Sequence, residues 1–183
     1  MLKIIIILVS ITLFVSCNYV VEDCSGFPNS DLKNIPYNLG EQIRYNNGID
    51  TISFSVDTFY KTEPYEIRGS FPQTGFDDCG STGLYGTSID PKFGYKLVDE
   101  FSQNGGGVFH ITINTPYGNE TFNNPTEYYD TYQVNGVRYE EVNIFEKDTL
   151  NNSPIIYKII KASNKGIIQF NDFQNKMVWD IVD

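Results

Sequence analysis

The sequence predicts an all-β domain, a single antiparallel meander forming either a barrel or a strongly curved sheet. Three observations predict it. The chain holds 13 Tyr and 13 Phe but only one Ala, Ala162; aromatic and β-branched residues suit strands, whereas Ala, Leu, Glu and Lys build helices. Apolar residues recur with period two, and no capped stripe of period 3.6 follows residue 17. Clusters of Gly, Pro, Asn and Asp return about every ten residues, the spacing of short strands joined by turns.

The elements follow in order. Residues 18–38 carry Gly26, Pro28 and Pro36 without periodicity and read as a tether and leading loop, with the β domain over 39–183. Ile52, Phe54 and Val56 alternate with Thr51, Ser53, Ser55 and Asp57, the pattern of a half-buried strand. The stretch Asp77 to Pro91, rich in Gly, Ser and Thr, reads as a long loop or as weak edge strands. After Gly105-Gly106-Gly107, Phe109, Ile111 and Ile113 alternate with His110, Thr112 and Asn114. Tyr128 to Val134 and Val137 to Phe145 flank Asn135-Gly136, a strong hairpin signal. Ile155 to Ala162 is a dense apolar run that turns at Asn164-Lys165-Gly166 into Ile167 to Phe170. A polar link, Asp172 to Lys176, then leads to Met177 to Val182. About 160 residues suffice for one domain with a substantial core.

The N-terminus carries an address. Met1-Leu2-Lys3 is a short cationic start, Ile4 to Val15 is apolar except for Ser10 and Thr12, and Ser16-Cys17 closes the run. That order describes a secretory signal, and a cysteine at the cut resembles the lipobox of bacterial lipoproteins. Phe14 stands where the lipobox usually has Leu, with Leu13 beside it. The resemblance implies a signal peptide over 1–16, cleavage before Cys17, diacylglyceryl on the Cys17 thiol and a further acyl chain, such as palmitate, on the new amine. As a helix the apolar run reaches about 18 Å, short of a hydrocarbon core of about 30 Å.

Charge points the same way. The formal net charge is −10, and losing residues 1–16 removes one lysine and no acid. Phosphate binding needs clustered Lys and Arg, so no nucleic-acid partner is expected. Anionic lipid would repel the chain as well, which leaves membrane attachment to the acyl chains. Asn18 is not the Asp that retains lipoproteins in the inner membrane of enterobacteria, and Glu22-Asp23 lie where surface-export signals of the Bacteroidota carry acids. The expected location is the outer membrane, lipid-anchored, either periplasmic or surface-exposed. With Cys17 acylated, Cys24 and Cys79 remain as an even pair, expected to form a disulfide outside the cytosol. In the chain-entropy model a loop of about 55 residues gives about 4 kcal/mol.

A second resemblance lies near the C-terminus. Asn135-Gly136-Val137-Arg138-Tyr139-Glu140-Glu141-Val142, Ile156-Tyr157-Lys158-Ile159, Lys165-Gly166-Ile167-Ile168-Gln169-Phe170 and Trp179 resemble a pattern of small uncharacterised β-rich lipoproteins of the Bacteroidota. It implies a β-rich envelope lipoprotein with no activity attached. In that lineage Asp50-Thr51-Ile52 and Asp148-Thr149-Leu150 match an O-glycosylation motif, making Thr51 and Thr149 candidate acceptors.

Catalytic signals are sparse. His110 is the only histidine, and no G-x-S-x-G elbow occurs. Cys79-Gly80-Ser81 resembles the nucleophile region of papain-like proteases but lacks the second Cys and the aromatic. The acidic pairs Asp77-Asp78, Asp99-Glu100 and Glu140-Glu141 consist of neighbours that point to opposite strand faces, so none is a site by itself. No zinc spacing or calcium loop is present, and no metal or cofactor is expected. Tyr128, Tyr129, Tyr132 and Tyr139 lie around one hairpin and are candidate ligand contacts, since Tyr offers a stacking face and a polar tip. The expected function is a non-enzymatic binding or envelope-associated module for a glycan, a protein or a hydrophobic ligand inside an open barrel. The alternative is a carboxylate-dependent hydrolase acting on envelope glycans. A lined cavity with convergent acids would favour the hydrolase, and a filled core with a flat Tyr surface would favour binding.

Overall fold

The computed structural model describes residues 32–61, 65–67, 78–103, 107–150 and 153–182. Twelve strands form one antiparallel sheet: β1 (Gln42–Asn46), β2 (Thr51–Lys61), β3 (Tyr65–Ile67), β4 (Asp78–Thr87), β5 (Lys96–Gln103), β6 (Gly107–Thr115), β7 (Gly118–Phe122), β8 (Glu127–Val134), β9 (Val137–Glu146), β10 (Ile156–Ala162), β11 (Gly166–Asp172) and β12 (Met177–Val182). The order is β7-β6-β5-β4-β2-β1-β12-β11-β10-β9-β8, with β3 on β4. The architecture is therefore a meander bent into a half-barrel. Its first and last strands pair, Tyr45 opposite Ile181, so the break falls in mid-chain, between β7 and β8.

Alternation produces this sheet as expected at β2, where Ile52, Phe54 and Val56 are buried. The same holds at β6, where Ile111 and Ile113 are buried while His110 is exposed. Asn135 (φ 48°) and Gly136 (φ 82°) both take positive φ, as a two-residue type I′ hairpin turn requires. One expectation is corrected. The Gly-rich stretch from Asp78 to Thr87 is neither loop nor edge: it is β4, paired with β2 on one side and β5 on the other. The small residues Gly83 and Gly86 sit between those neighbours, and a Cβ on Gly86 would lie 3.4 Å from Thr58 Cβ. Strands β1, β3, β5 and β7 are additional to the predicted ones.

The concave side holds the main core. Trp179, Tyr45, Tyr85, Tyr95, Phe54, Phe145 and Phe170 are all fully buried. Trp179 packs edge-on against Phe93 (5.0 Å between centroids) and Tyr95 (6.1 Å) and stacks on Phe170 (6.1 Å). Packed chain begins before residue 39: Ile35 and Tyr37 are buried, and the Tyr37 ring meets Tyr85 edge-on at 5.0 Å. Asn164 N donates to Lys33 O at 2.8 Å, fixing this segment to the β10–β11 turn.

A second buried cluster occupies the opposite face of β9 to β11. It comprises Val134, Val142, Ile144, Ile160, Ala162 and Ile168, with Tyr132, Tyr139 and Ile181 against it. Strands β10 and β11 are thus covered on both faces, which accounts for their nearly continuous apolar runs. A register shift after Ile160 leaves Ile168 as an extra residue, so Ile167 and Ile168 serve different cores.

Candidate functional site

The hairpin β8–β9 carries the four predicted tyrosines, and the structure divides them. Tyr129 and Tyr132 come together with ring centroids 5.1 Å apart, tilted by 48°, and Tyr132 faces Tyr139 across the strands. Tyr132 and Tyr139 are half-buried against the second cluster, whereas Tyr128 is 57 % and Tyr129 39 % exposed. Tyr128 projects to the other face, where Asp130 and Glu141 act on it. Desolvation first, then these carboxylates, raises its pKa above the usual phenol value.

Charges of both signs flank the Tyr129–Tyr132 pair. The Tyr129 hydroxyl donates to Glu127 Oε2 at 2.5 Å, and that bond is the main cause raising its pKa. Lys158 Nζ lies 3.0 Å from Glu146 Oε2 and is also influenced by Tyr132 and Glu127. Register places these side chains on one face, Glu127 opposite Ile144 and Lys158 opposite Glu146. Among the described residues strand β8 ends the sheet, paired with β9 on one side. The patch therefore offers a tilted aromatic pair, two carboxylates and one ammonium along a free edge. Glu127, Glu146 and Lys158 were not singled out from sequence, because only the β9–β10 register brings them beside the tyrosines.

Among the described residues, the acidic pairs named from sequence do not converge into a site. Asp99 is buried and ion-paired with Lys161, while its neighbour Glu100 lies on the outer face. Asp172 Oδ2 accepts from the Tyr95 hydroxyl (2.5 Å) and Asn175 Nδ2 (2.8 Å). Glu140 is exposed, and Glu141, at φ 48°, accepts from Lys33 Nζ at 2.6 Å. Asp77 lies outside the described residues, as does the side chain of Asp78. His110 aligns through Glu100 with Leu84, five positions along β4 from Cys79. At 3.4 Å per residue that is about 17 Å, too far for a dyad.

Open clefts lie on the surface, including one of about 480 Å³ lined by Glu120, Lys147 and Asp148. One of about 650 Å³ is lined by Pro36, Glu41, Arg44 and Lys165; another of about 500 Å³ is lined by Thr149, Tyr157, Phe173 and Met177. Among the described residues no group of three or more His, Cys, Asp or Glu could hold a metal ion. Thr51 opens β2, exposed, its hydroxyl accepting from Asn46 Nδ2 at 2.8 Å. Thr149 is half-buried in the β9–β10 loop. Cys17, Cys24 and the side chain of Cys79 lie outside the described residues, so the anchor and the disulfide are expectations from sequence. No protein family, curated protein or solved structure matches the chain.

Proposed function

We propose that this chain is a lipid-anchored outer-membrane protein whose β domain is a non-enzymatic binding module. Its ligand face is the Tyr129–Tyr132 patch on the β8 edge. The supporting observation is the contrast between inside and outside. The concave side is packed with aromatic side chains of near-zero exposure, whereas Tyr129 on β8 is 39 % exposed. An exposed, tilted aromatic pair with flanking Glu127, Glu146 and Lys158 suits a polyhydroxylated ligand such as an envelope glycan: rings stack on sugar faces while the charges take hydroxyls. Cys17 supplies the anchor, and a Cys24–Cys79 disulfide would join the tether to β4.

The test uses a panel of immobilised envelope polysaccharides and the purified chain. Tyr129→Ala is expected to weaken retention about tenfold or more, the effect of losing one stacking residue of about 1–3 kcal/mol. Val137→Ala at the hairpin end is expected to leave retention unchanged. Equal retention of wild type and Tyr129→Ala would overturn the assignment of this face. Separately, Cys17→Ala is expected to move the protein out of the membrane fraction, and a variant that stays there would refute the anchor.

A further inference from the structure

The filled core contains one arrangement that ligand binding does not use. Lys161 on β10 and Asp99 on β5 are hydrogen-bonded, with side chains 1 % and 0 % exposed. The ammonium lies 5.0 Å over the Phe109 ring, and among the described residues Asp99 is the charge that acts on it. Asp99 Oδ1 has no hydrogen-bond partner, and neither has the buried Tyr85 hydroxyl. These two unpaired groups are coupled, since Asp99 exerts the largest electrostatic effect on Tyr85. Tyr37 and Tyr45 are the other phenols around them. An ammonium, its carboxylate partner and a phenol that feels that carboxylate's charge thus share a region closed to solvent.

We propose that Lys161 and Asp99 condense into an intramolecular isopeptide bond, an amide between Nζ and Cγ that ties β5 to β10. The ammonium proton first passes to Asp99 Oδ2, giving a neutral amine beside a neutral acid. The nitrogen lone pair then forms the N–Cγ bond, and the Cγ–Oδ1 π electrons move onto Oδ1, where the Tyr85 hydroxyl can donate. Those electrons return as the Cγ–Oδ2 bond breaks, and Oδ2 departs with its proton and one amine proton as water. The products are one secondary amide and one water, with nothing oxidised or reduced.

Several features favour the step. Burial lowers the Lys161 pKa, favouring the nucleophilic form. Burial and Asp99 hold Tyr85 well above its ordinary pKa, so it keeps the proton it donates. A donor aimed at a developing oxyanion in a water-excluded site stabilises it strongly. Excluded water also blocks the reverse hydrolysis. The carboxyl and amine belong to strands that no ladder joins, β5 and β10 lying on opposite arms of the half-barrel. The bond would therefore lock those arms together.

The experiment is tryptic peptide mapping by mass spectrometry of the full chain purified from its membrane. The expected product is residues 97–138 joined to residues 159–165, with cleavage after Lys161 blocked and the mass lower by one water. Lys161→Arg and Asp99→Ala should each abolish that species. Tyr85→Phe should slow its accumulation after synthesis about a hundredfold, the effect of losing an oxyanion donor. Recovery of 97–138 and 162–165 as separate, unmodified peptides from the wild-type chain would overturn the proposal, whatever the variants do. An unchanged rate in Tyr85→Phe would overturn the role given to Tyr85.

Discussion

Replacing Gly166 by Ala tests whether the segment before Leu39 belongs to the folded domain. Gly166 has φ 76°, and a Cβ there would sit 2.5 Å from Tyr37 Cε2 and 3.1 Å from the Tyr85 hydroxyl. Left-handed backbone costs an L-residue about 1–2 kcal/mol, and forcing a methyl into packed side chains costs a further 1–3 kcal/mol or so. The expected total is about 2–5 kcal/mol. Gly136→Ala is the control: its φ is 82°, yet nothing lies within 4 Å of the new methyl, so only the backbone cost applies. Urea unfolding followed by Trp179 fluorescence separates the two, because Trp179 is the one tryptophan and is fully buried. With a slope of about 2 kcal/mol per molar urea, Gly166→Ala should unfold at a midpoint lower than Gly136→Ala by about 1 M. Adding Tyr37→Ala should cost less in the Gly166→Ala background than alone, since the clash partner has gone. Equal midpoints for the two glycine variants, with additive effects of Tyr37→Ala, would refute the packing of Tyr37 over the β10–β11 turn.

Two further outcomes follow from named contacts. Glu120 Oε1 accepts from Ile155 N at 2.8 Å and Oε2 pairs with Lys147, at 14 % exposure; Glu120→Ala should cost about 1–3 kcal/mol and speed hydrogen exchange at Ile155, and unchanged exchange there would contradict the contact. Lys33 holds the Glu141 pKa below its ordinary value, mainly by hydrogen bonding. A lowered carboxylate pKa contributes stability above the unfolded value near 4.3, lost as pH falls through the folded one. With Glu141 43 % exposed, Lys33→Met should cost only about 0.5 kcal/mol at pH 7, and its unfolding midpoint should meet that of the wild type once Glu141 is protonated. A gap that persists in acid would assign the loss to packing instead.

The elements legible in the sequence are those whose inward positions are all apolar. Strands β2 and β6 alternate cleanly, and Asn135-Gly136 announces its own turn. Strand β5 escapes this reading because its inward row is Leu97, Asp99, Phe101, and a charged residue in that row makes the segment look like surface. Its partner Lys161 is hidden in the same way, a lysine inside an apolar run. Only the pairing of two distant strands explains either. Strand β4 is hidden by its glycines, whose small size answers to neighbours on both sides. At the candidate site the tyrosines were visible as a group. Their division was not, because it depends on the second core beneath Tyr132 and Tyr139, and nothing local distinguishes those two from Tyr128 and Tyr129.

The position of the break explains why side chains do so much of the closure. A meander whose terminal strands are unpaired opens at its ends, where fraying is easiest. Here β1 and β12 pair, so the opening moves to the link after β7, where Pro125 removes a donor. Thr126 N donates instead to Ile144 O at 2.7 Å, and β7 is held by Glu120, with Lys147 4.7 Å over the Phe122 ring. Deeper in, Phe109 meets Phe145 edge-on at 5.8 Å, and Lys161 meets Asp99. The contacts of Glu120, Lys147, Phe109 and Lys161 join one arm of the half-barrel to the other without a backbone ladder. Closure by side chains leaves β8 as a free strand beside the seam, carrying Tyr129. If the edge were paired as in a full barrel, its backbone would be engaged and a further row of side chains would flank Tyr129 on the same face. The missing pairing thus leaves the proposed tyrosine face without a flanking strand on that side, and the proposed cross-arm bond at Lys161 would keep the seam from widening.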